Sequence, residues 1–377
     1  YSSLGVKIEN IAGMLHSFGI QKNDKVAILG ENSPNWGISY LSVICMGAVV
    51  VPVLPDFHKD EVNSILEHSE AKALFISKKQ FEKIEDILKN SEIETIILDD
   101  FSSKSEDQEG KNLHKPFCFS CMKKEVRSED LAAIIYTSGT TGTSNGVMLT
   151  HKNLCFMVEK TLTIQDVNEN DRFLSILPLS HTYENSLGFL LALYSGASVF
   201  YLKKQPTPSI LMEAFKEVKP TTILSVPLII EKIYKKQILR KFNSSPVLRF
   251  LFQMKLSRIL LNRMAVKKLL KALGGHVRFF GIGGAKLDPV IEKYLREGKF
   301  PYAIGYGLTE TSPLLAGSSP AHTKWQSTGK VLEGVEMKIH NPDPQTGEGE
   351  IWVKGDNVMK GYYKNADSTR EVLSEEG

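Results

Sequence analysis

Apolar and polar positions along the chain follow two periods. Short apolar runs rich in Val, Ile, Phe and Tyr recur between longer segments whose apolar residues return every three or four positions. KVAILG (25–30), AVVVPV (48–53), KALFIS (72–77), TIILDD (95–100) and AAIIYTS (132–138) are the runs before residue 140. FLSILPL (173–179), SVFYL (198–202), TTILSV (221–226), VRFFGI (277–282) and PYAIGYG (301–307) follow. The longer segments read as amphipathic helices. Strands alternating with helices build βαβ units and parallel sheets. The pattern therefore predicts an α/β fold with two doubly wound, mainly parallel sheets and flanking helices, rather than one barrel. After Thr311 the pattern changes. VLEGVEMKIHNPDPQTGEGEIWVKG (331–355) has short alternating strands about a Pro/Gly-rich turn, which predicts a small antiparallel unit.

The uncharged stretch from Asn32 to Pro55 approaches the length of a membrane span. Ser33-Pro34 reads instead as a helix start, Gly47 as its stop and AVVVPV as a separate strand. FSSKSEDQEGKNLHK (101–115) is polar and reads as a flexible loop. No signal-peptide pattern is present, and a cytoplasmic protein is expected, with the inner face of a membrane as a further place of residence.

With 377 residues, 42% hydrophobic and 24% charged, the chain has an ordinary globular composition and length for more than one core. Its net charge of +3 hides an asymmetry. Between Lys232 and Lys271 there are twelve Lys or Arg and no Asp or Glu. Here KKQILRKF, RFLFQMKLSRILLNRM and VKKLLKAL mix cations with Leu, Ile and Phe at helical spacing. Such helices suit an anionic membrane surface or a phosphate-rich ligand, and equally a core-packed pair with a solvated basic face. The absence of an aromatic-plus-basic platform argues against nucleic acid. Four cysteines allow no dense disulfide framework, and CFSC at Cys118–Cys121 reads as a surface loop.

The most informative stretch is YTSGTTGTSNGVMLTH (136–151). From Thr137 to Gly146 it holds ten residues without a charge, nine of them Thr, Ser or Gly. It lies between the apolar runs LAAIIY and GVML. Glycines let backbone N–H groups approach a ligand, and hydroxyls add donors. This composition suits a polyphosphate, although the Walker pattern with its Gly-Lys-Ser/Thr ending is not met. Three other stretches follow apolar runs, where α/β sheets bind ligands. GIGGAKLDP (281–289) leaves room for a flat ring or a ribose and ends on Asp288-Pro289, a helix cap; alone it reads as a tight strand-to-helix turn. AIGYGLTETSP (303–313) flanks Tyr306 with Gly305 and Gly307. It sets a hydroxyl, Thr309, beside a carboxylate, Glu310, which suits Mg²⁺ next to polyphosphate. LPLSHTYEN (177–185) puts His181 at a strand end, where a histidine orients a substrate carboxylate or serves structure alone.

YTSGTTG (136–142), LPLSH (177–181), GGA (283–285), YGLTETSP (306–313) and GEIWVKGDNVMKGYYKN (349–365) occur in this order. The series resembles the AMP-forming acyl-CoA synthetases of the adenylate-forming superfamily, over essentially the whole chain and most like the long-chain fatty acid branch. The resemblance implies a ligase that joins a fatty acid to ATP, giving acyl-adenylate and pyrophosphate, and then transfers the acyl group to coenzyme A with release of AMP. It implies that Thr137, Ser138, Gly139, Thr140, Thr141 and Gly142 wrap the β- and γ-phosphates. Gly283, Gly284 and Ala285 would line adenine and ribose, with Gly305, Tyr306, Gly307 and Leu308 completing the nucleotide site and Tyr306 stacking on adenine. Thr309 would meet the α-phosphate or the acyl carboxylate. Glu310 and Thr140 would ligate Mg²⁺. His181 and Tyr183 would border the acyl carboxylate. The expected organisation is an α/β subdomain with the phosphate loop at 1–165, a second with the basic segment at 166–305, and a small β-rich subdomain at 306–377.

Two departures accompany the resemblance. The family continues the loop as Pro-Lys-Gly, where this chain has Ser144-Asn145-Gly146; losing one charged contact to phosphate costs on the order of 1.5–3 kcal/mol. The family's ribose-binding Asp motif and mobile C-terminal domain would come after Gly377. The chain is therefore expected to be the large N-terminal domain, with little thioester formation of its own. Two rival readings remain: adenylation that feeds a carrier-protein thiol, and a degenerate module that holds adenylate or acyl chains without turnover.

Overall fold

The computed structural model describes residues 1–89, 91–103, 126–137, 144–202, 204, 206–240 and 245–374. The CFSC segment, most of the polar stretch 101–115 and the loop residues Ser138–Gly142 lie outside the described residues. Two sheets carry the chain. The first runs in the order β17-β6-β5-β2-β1-β3-β4. It contains β1 (Lys25–Leu29), β2 (Val49–Val53), β3 (Ala71–Ile76), β4 (Glu94–Ile97), β5 (Leu131–Thr137), β6 (Asn145–Thr150) and β17 (Gly361–Tyr362). The second is wholly parallel, in the order β11-β10-β9-β7-β8. Its strands are β7 (Arg172–Ser175), β8 (Ser198–Tyr201), β9 (Thr222–Ser225), β10 (Phe279–Ile282) and β11 (Tyr302–Ile304).

Side chains of alternate residues leave opposite faces of a strand, and the two faces of the first sheet fill two different cores. Val26, Ile28, Val50 and Phe75 pack with Trp36 and Tyr40 of the helix Pro34–Cys45. Ala27, Leu29, Val51 and Leu74 pack with Val62, Ile65 and Leu66 of the helix Lys59–Ser69. The second sheet repeats the scheme. Phe280, Ile282 and Tyr302 meet Val266, Leu269, Ile291 and Leu295 of outer helices. Leu224 and Phe173 face the helical layer shared with the first sheet, through Leu187 and Leu191 respectively. Helix, sheet, helix, sheet and helix layers result.

Most element starts follow local rules. Ser33 caps the helix Pro34–Cys45 with its hydroxyl on the Trp36 N–H, Pro34 sits at the first turn, and Gly47 leaves at φ +77°. Asp288 caps Pro289–Gly298 in the same way, accepting from the Val290 and Ile291 N–H groups. Asn32–Pro55 thus resolves into a helix and a buried strand. Among the described residues no helix is long and apolar enough to cross a membrane.

One strand reading changes, and the pairing around the hydroxyl-rich loop becomes explicit. β5 and β6 pair antiparallel, so the hydroxyl-rich loop joins the two strands of a hairpin. The seven residues between these strands are too few for a crossover, which takes a dozen or more. PYAIGYG divides into β11 and a separate β12 (Tyr306–Gly307), because the chain leaves the second sheet at Gly305. β12 pairs antiparallel with β13 (Leu314–Gly317), which pairs with β14 (Lys330–Val331). β15 (Val335–His340) and β16 (Glu350–Gly355) form the expected hairpin. β17 then returns to the first sheet beside β6.

Asn153 joins this returning segment to the first sheet. In the helix His151–Thr161 its side chain accepts from the Thr150 N–H (2.7 Å), and its amide donates to the Asp356 and Val358 carbonyls at 2.8 and 2.9 Å. Asn153→Ala removes a cap and leaves two carbonyls without that donor. It should lower unfolding free energy by on the order of 2–4 kcal/mol in urea denaturation. An unchanged midpoint would show that the segment 356–358 is held by other contacts.

Candidate active site

The candidate residues leave the carboxyl ends of β5, β7, β10 and β11, where the two sheets present their loops to one another. Asn32, two residues beyond Gly30 at the end of β1, crosses between the sheets. Its amide donates to the Leu177 carbonyl at 2.6 Å and to Ser175 Oγ at 2.9 Å, and its Oδ1 accepts from the Leu179 N–H at 2.8 Å. LPLSH is thereby fixed to the first sheet. Ser175 passes the chain on, donating to Glu184 Oε1 at 2.6 Å.

His181 follows that clamp. Its Nδ1 accepts the Tyr183 N–H at 3.2 Å, which leaves the proton on Nε2 in the neutral ring. The imidazole keeps an exposed face, yet the protein mass around it lowers its pKa below the ordinary value, so it is neutral at pH 7. Tyr183 turns to the second sheet. Its ring lies so close to Gly281 and Gly283 that a Cβ on either would come within 3.0 and 3.3 Å of it. Burial, with a smaller contribution from the Glu184 charge, pushes the Tyr183 phenol pKa well above its ordinary value. Gly284 adopts φ +83°, and Ala285 is exposed beside it.

Beyond β11 the Gly305 N–H donates to the Ile282 carbonyl at 3.0 Å, tying the β10 and β11 loops together. Gly307 has no room for a side chain, since a Cβ there would sit 1.7 Å from the Pro313 oxygen. This closeness turns the chain into the 3₁₀ turn Thr309–Thr311, which carries Glu310; Leu308 before it is exposed. Tyr306 and Tyr183 pack on one apolar cluster with Leu187, Leu224 and Leu314. A narrow apolar cleft of about 30 Å³ runs among Tyr183, Gly281, Gly305, Leu187, Phe279 and Ile304.

Glu310 is brought to the first sheet by residues whose role the sequence does not announce. Tyr362, in β17 beside β6, donates its hydroxyl to Glu310 Oε1 at 2.9 Å. Burial, then the hydrogen bond to Glu310, pushes the Tyr362 phenol far above its ordinary pKa, so it remains a donor. The Met359 N–H donates to the Glu310 carbonyl at 2.8 Å, and Asn357 donates to the Thr311 and Leu314 carbonyls. Among the described residues, Glu310 Oε2 has no protein partner, and no group of three or more His, Cys, Asp or Glu surrounds it. One free carboxylate oxygen fits Mg²⁺, which takes one or two carboxylates and fills its octahedron with waters and phosphate oxygens.

The base of the hydroxyl-rich loop is anchored from both sides. Thr137 ends β5 opposite Asn145, and the Tyr136 hydroxyl meets His68 Nδ1 at 2.8 Å. Asn145 accepts the Asn365 side-chain amide at 3.2 Å, while Asn365 Oδ1 caps the helix Ala366–Val372. The neutral residue at the family's lysine position is therefore engaged sideways. Of the sequence-derived site, Thr137, His181, Tyr183, Gly283, Gly284, Ala285, Gly305, Tyr306, Gly307, Leu308, Thr309 and Glu310 are described; Ser138, Gly139, Thr140, Thr141 and Gly142 lie outside. Asn32, Glu184, Asn357 and Tyr362 were not singled out. Their only sequence signals are an asparagine just past a strand, an acid two residues after Thr182, and polar residues in the motif GEIWVKGDNVMKGYYKN.

Glu184 gives the site a pH signature. Burial raises its pKa to about 8, against a small opposing effect of the Ser175 hydrogen bond. The unfolded carboxyl ionises near its ordinary value of 4.5. Between these values the folded state keeps a proton that the unfolded state has lost. Its contribution to stability is thus full below the lower value, falls as pH rises and levels off above the higher. Glu184→Gln should flatten the decline of urea midpoints followed from about pH 5 to about pH 9. Parallel curves for variant and wild type would assign the decline to another group.

Residues 1–363 match the AMP-binding enzyme family. The chain is 28% identical to fatty acyl-CoA synthetase A of Dictyostelium discoideum, covering all of this chain and 61% of that protein. It is 29% identical to 4-coumarate–CoA ligase 1 of Petroselinum crispum, over all of this chain and 66% of that protein. It is 27% identical to the chloroplastic long-chain-fatty-acid–[acyl-carrier-protein] ligase AEE15 of Arabidopsis thaliana, over all of this chain and 61% of that protein. The chain thus spans less than two thirds of the length of these relatives. ATP-bound MatB from Rhodopseudomonas palustris has the same fold, with a TM-score of 0.78 at 23% identity over all of this chain and 69% of that one. So does the AMP complex of O-succinylbenzoate coenzyme A synthetase from Bacillus subtilis, at 0.74 and 22% over 99% of this chain and 68% of that one. The motifs, the two facing sheets and the family match agree: this chain belongs to the AMP-binding enzyme family.

Proposed function

We propose that this chain is the large domain of an enzyme that activates a long-chain fatty acid with ATP and Mg²⁺, and passes the acyl group to coenzyme A. The observation that carries this reading is the meeting of Glu310, through Tyr362 and β17, with the strand that leaves the hydroxyl-rich loop. That loop, Thr137–Gly142, is the proposed grip on the β- and γ-phosphates, with Gly283, Gly284, Ala285 and Gly305–Leu308 as the nucleotide wall. Mg²⁺ on Glu310 and Thr140 would neutralise phosphate charge. Tyr362 keeps the Glu310 carboxylate oriented, and Thr309 beside it offers a hydroxyl to the α-phosphate or the acyl carboxylate. The Nε2–H of neutral His181 is a donor for that carboxylate. Its attack on the α-phosphate forms the acyl–phosphate bond and breaks the bond to pyrophosphate. A thiol then displaces AMP.

The acyl half of the proposal is supported by the names of the fatty-acid relatives. A carrier-protein thiol is the second acceptor to weigh, because one relative is named for that transfer. Asn145 favours a third reading, a module that binds without turnover, since it places no cation at the base of the loop.

The test uses the full-length protein. Pyrophosphate exchange into ATP should require Mg²⁺ and a long-chain fatty acid, respond weakly to 4-coumarate, and fall about 100-fold or more in Glu310→Ala. AMP release should then depend on coenzyme A. Exchange without a fatty acid preference would remove the acyl assignment. ATP binding without exchange in the wild type would favour the non-catalytic module, and release triggered only by a carrier protein would replace coenzyme A.

A further inference from the structure

The helix Lys255–Ala272 packs its core face, with Asn262, Val266 and Leu269 buried, against the helix Pro289–Gly298 and its neighbours. A helix whose core face is filled ordinarily shows polar residues outside. Here Leu256, Leu260 and Met264, spaced four apart, run along the solvent side and are 83%, 61% and 63% exposed. Arg263, Lys267 and Lys271 keep the same spacing beside them and line a shallow groove with Gly275 and Gly298. At 100° per residue all six fall within about a third of the helix circumference. The preceding helix Pro246–Gln253 buries no residue and leaves Phe250 63% exposed. An elbow at Met254 joins the two helices, held by the Ser257 hydroxyl on the Leu251 and Met254 carbonyls.

The cations of this face are unbalanced. Arg258 turns inward and forks onto Glu297, at 3.0 Å from Nε and 2.9 Å from Nη2. Among the described residues Arg263, Lys267, Lys268 and Lys271 have no ion-pair partner, and no acid occurs between Lys232 and Lys271. Apolar ridge and cationic groove share one outward arc. A soluble polyphosphate would use the cations and leave the leucines in water. Nucleic acid would do the same. An anionic bilayer offers acyl chains and dense phosphate charge in one plane.

We propose that this face docks on an anionic lipid bilayer, with Leu256, Leu260, Met264 and Phe250 entering the headgroup boundary and Arg263, Lys267 and Lys271 meeting lipid phosphates. Docking stands independently of the acyl reading. The test is flotation of the full-length protein with vesicles of phosphatidylcholine alone, or of equal parts phosphatidylcholine and phosphatidylglycerol. Binding is expected to the second only and to weaken with salt. It should drop about tenfold or more both in Leu256→Ser/Leu260→Ser/Met264→Ser and in Lys267→Glu/Lys271→Glu. All these positions lie on open helix surface, and unchanged thermal melts confirm that each variant folds. Equal binding to both vesicles, binding to neither, or binding unaffected by both variants overturns the proposal. Loss in the charge variant with full binding in the serine variant assigns the cations to a soluble or purely electrostatic ligand and also overturns it. A dimer that the serine variant dissolves, without vesicle binding, gives the face to a second copy.

Discussion

The site exists only if two separate sheets hold their carboxyl edges level, and the Asn32 side chain is a polar contact that ties them together there. An amide carries a donor and an acceptor side by side, so it can read a neighbouring backbone as a strand would. Asn32 does so on Leu177 and Leu179, and takes Ser175 as well. Each such bond contributes about 1 kcal/mol, and its loss leaves partners unpaired in a partly buried place. The next residue, Ser33, caps the helix Pro34–Cys45. Trp36 and Tyr40 of that helix meet Phe189 edge-on at 6.4 and 6.0 Å, on the helical segment that follows His181. Polar and aromatic contacts thus join the same two segments, one fixing direction and the other supplying buried area.

The second constraint is backbone closeness in the small β unit. Gly307 lies so close to Pro313 that only glycine fits where the chain enters the turn Thr309–Thr311. The segment from Asp356 to Tyr362 then closes over that turn, with Asn357 below, Met359 on the Glu310 carbonyl and Tyr362 on its carboxylate. Asn153 binds the same segment to the first sheet. Glu310 is therefore placed by two elements remote from it in sequence, the segment Asp356–Tyr362 and the helix that carries Asn153. The carboxylate itself contributes chemistry; its position is a product of the packing.

This separates what periodicity reveals from what it hides. Strands such as Val26–Leu29 and Phe279–Ile282 are legible because burial on both faces of a parallel sheet demands unbroken apolar runs. Ser33-Pro34 and Asp288-Pro289 are legible because caps are local. The antiparallel direction of the β5–β6 hairpin is not legible in its apolar runs, which carry no direction; only the shortness of the connection points to it. Asn32 and Tyr362 escaped because their partners lie 145 and 52 residues away, and a single polar residue has no period. The candidate site was legible where glycine and hydroxyl residues cluster. Its supporting residues were not.

Position 145 shows how far a motif departure can be interpreted without its surroundings. Read alone, an amide in place of lysine is a lost charge. In place, Asn145 Oδ1 accepts from Asn365, whose own Oδ1 starts the helix Ala366–Val372. A lysine would bring no acceptor to Asn365, so the two residues form one unit and the neutral choice is matched by its partner. The anchoring of the loop base is consistent with this. Tyr136 on His68 holds the incoming strand, and Asn365 on Asn145 holds the outgoing one. What the substitution removes is charge, and charge acts over distances at which geometry does not. If the loop holds phosphate as proposed, its neutralisation falls more heavily on the cation that Glu310 would bind. Glu310 and its Tyr362 hydrogen bond would then carry a larger share of ATP affinity than in a relative that keeps the lysine.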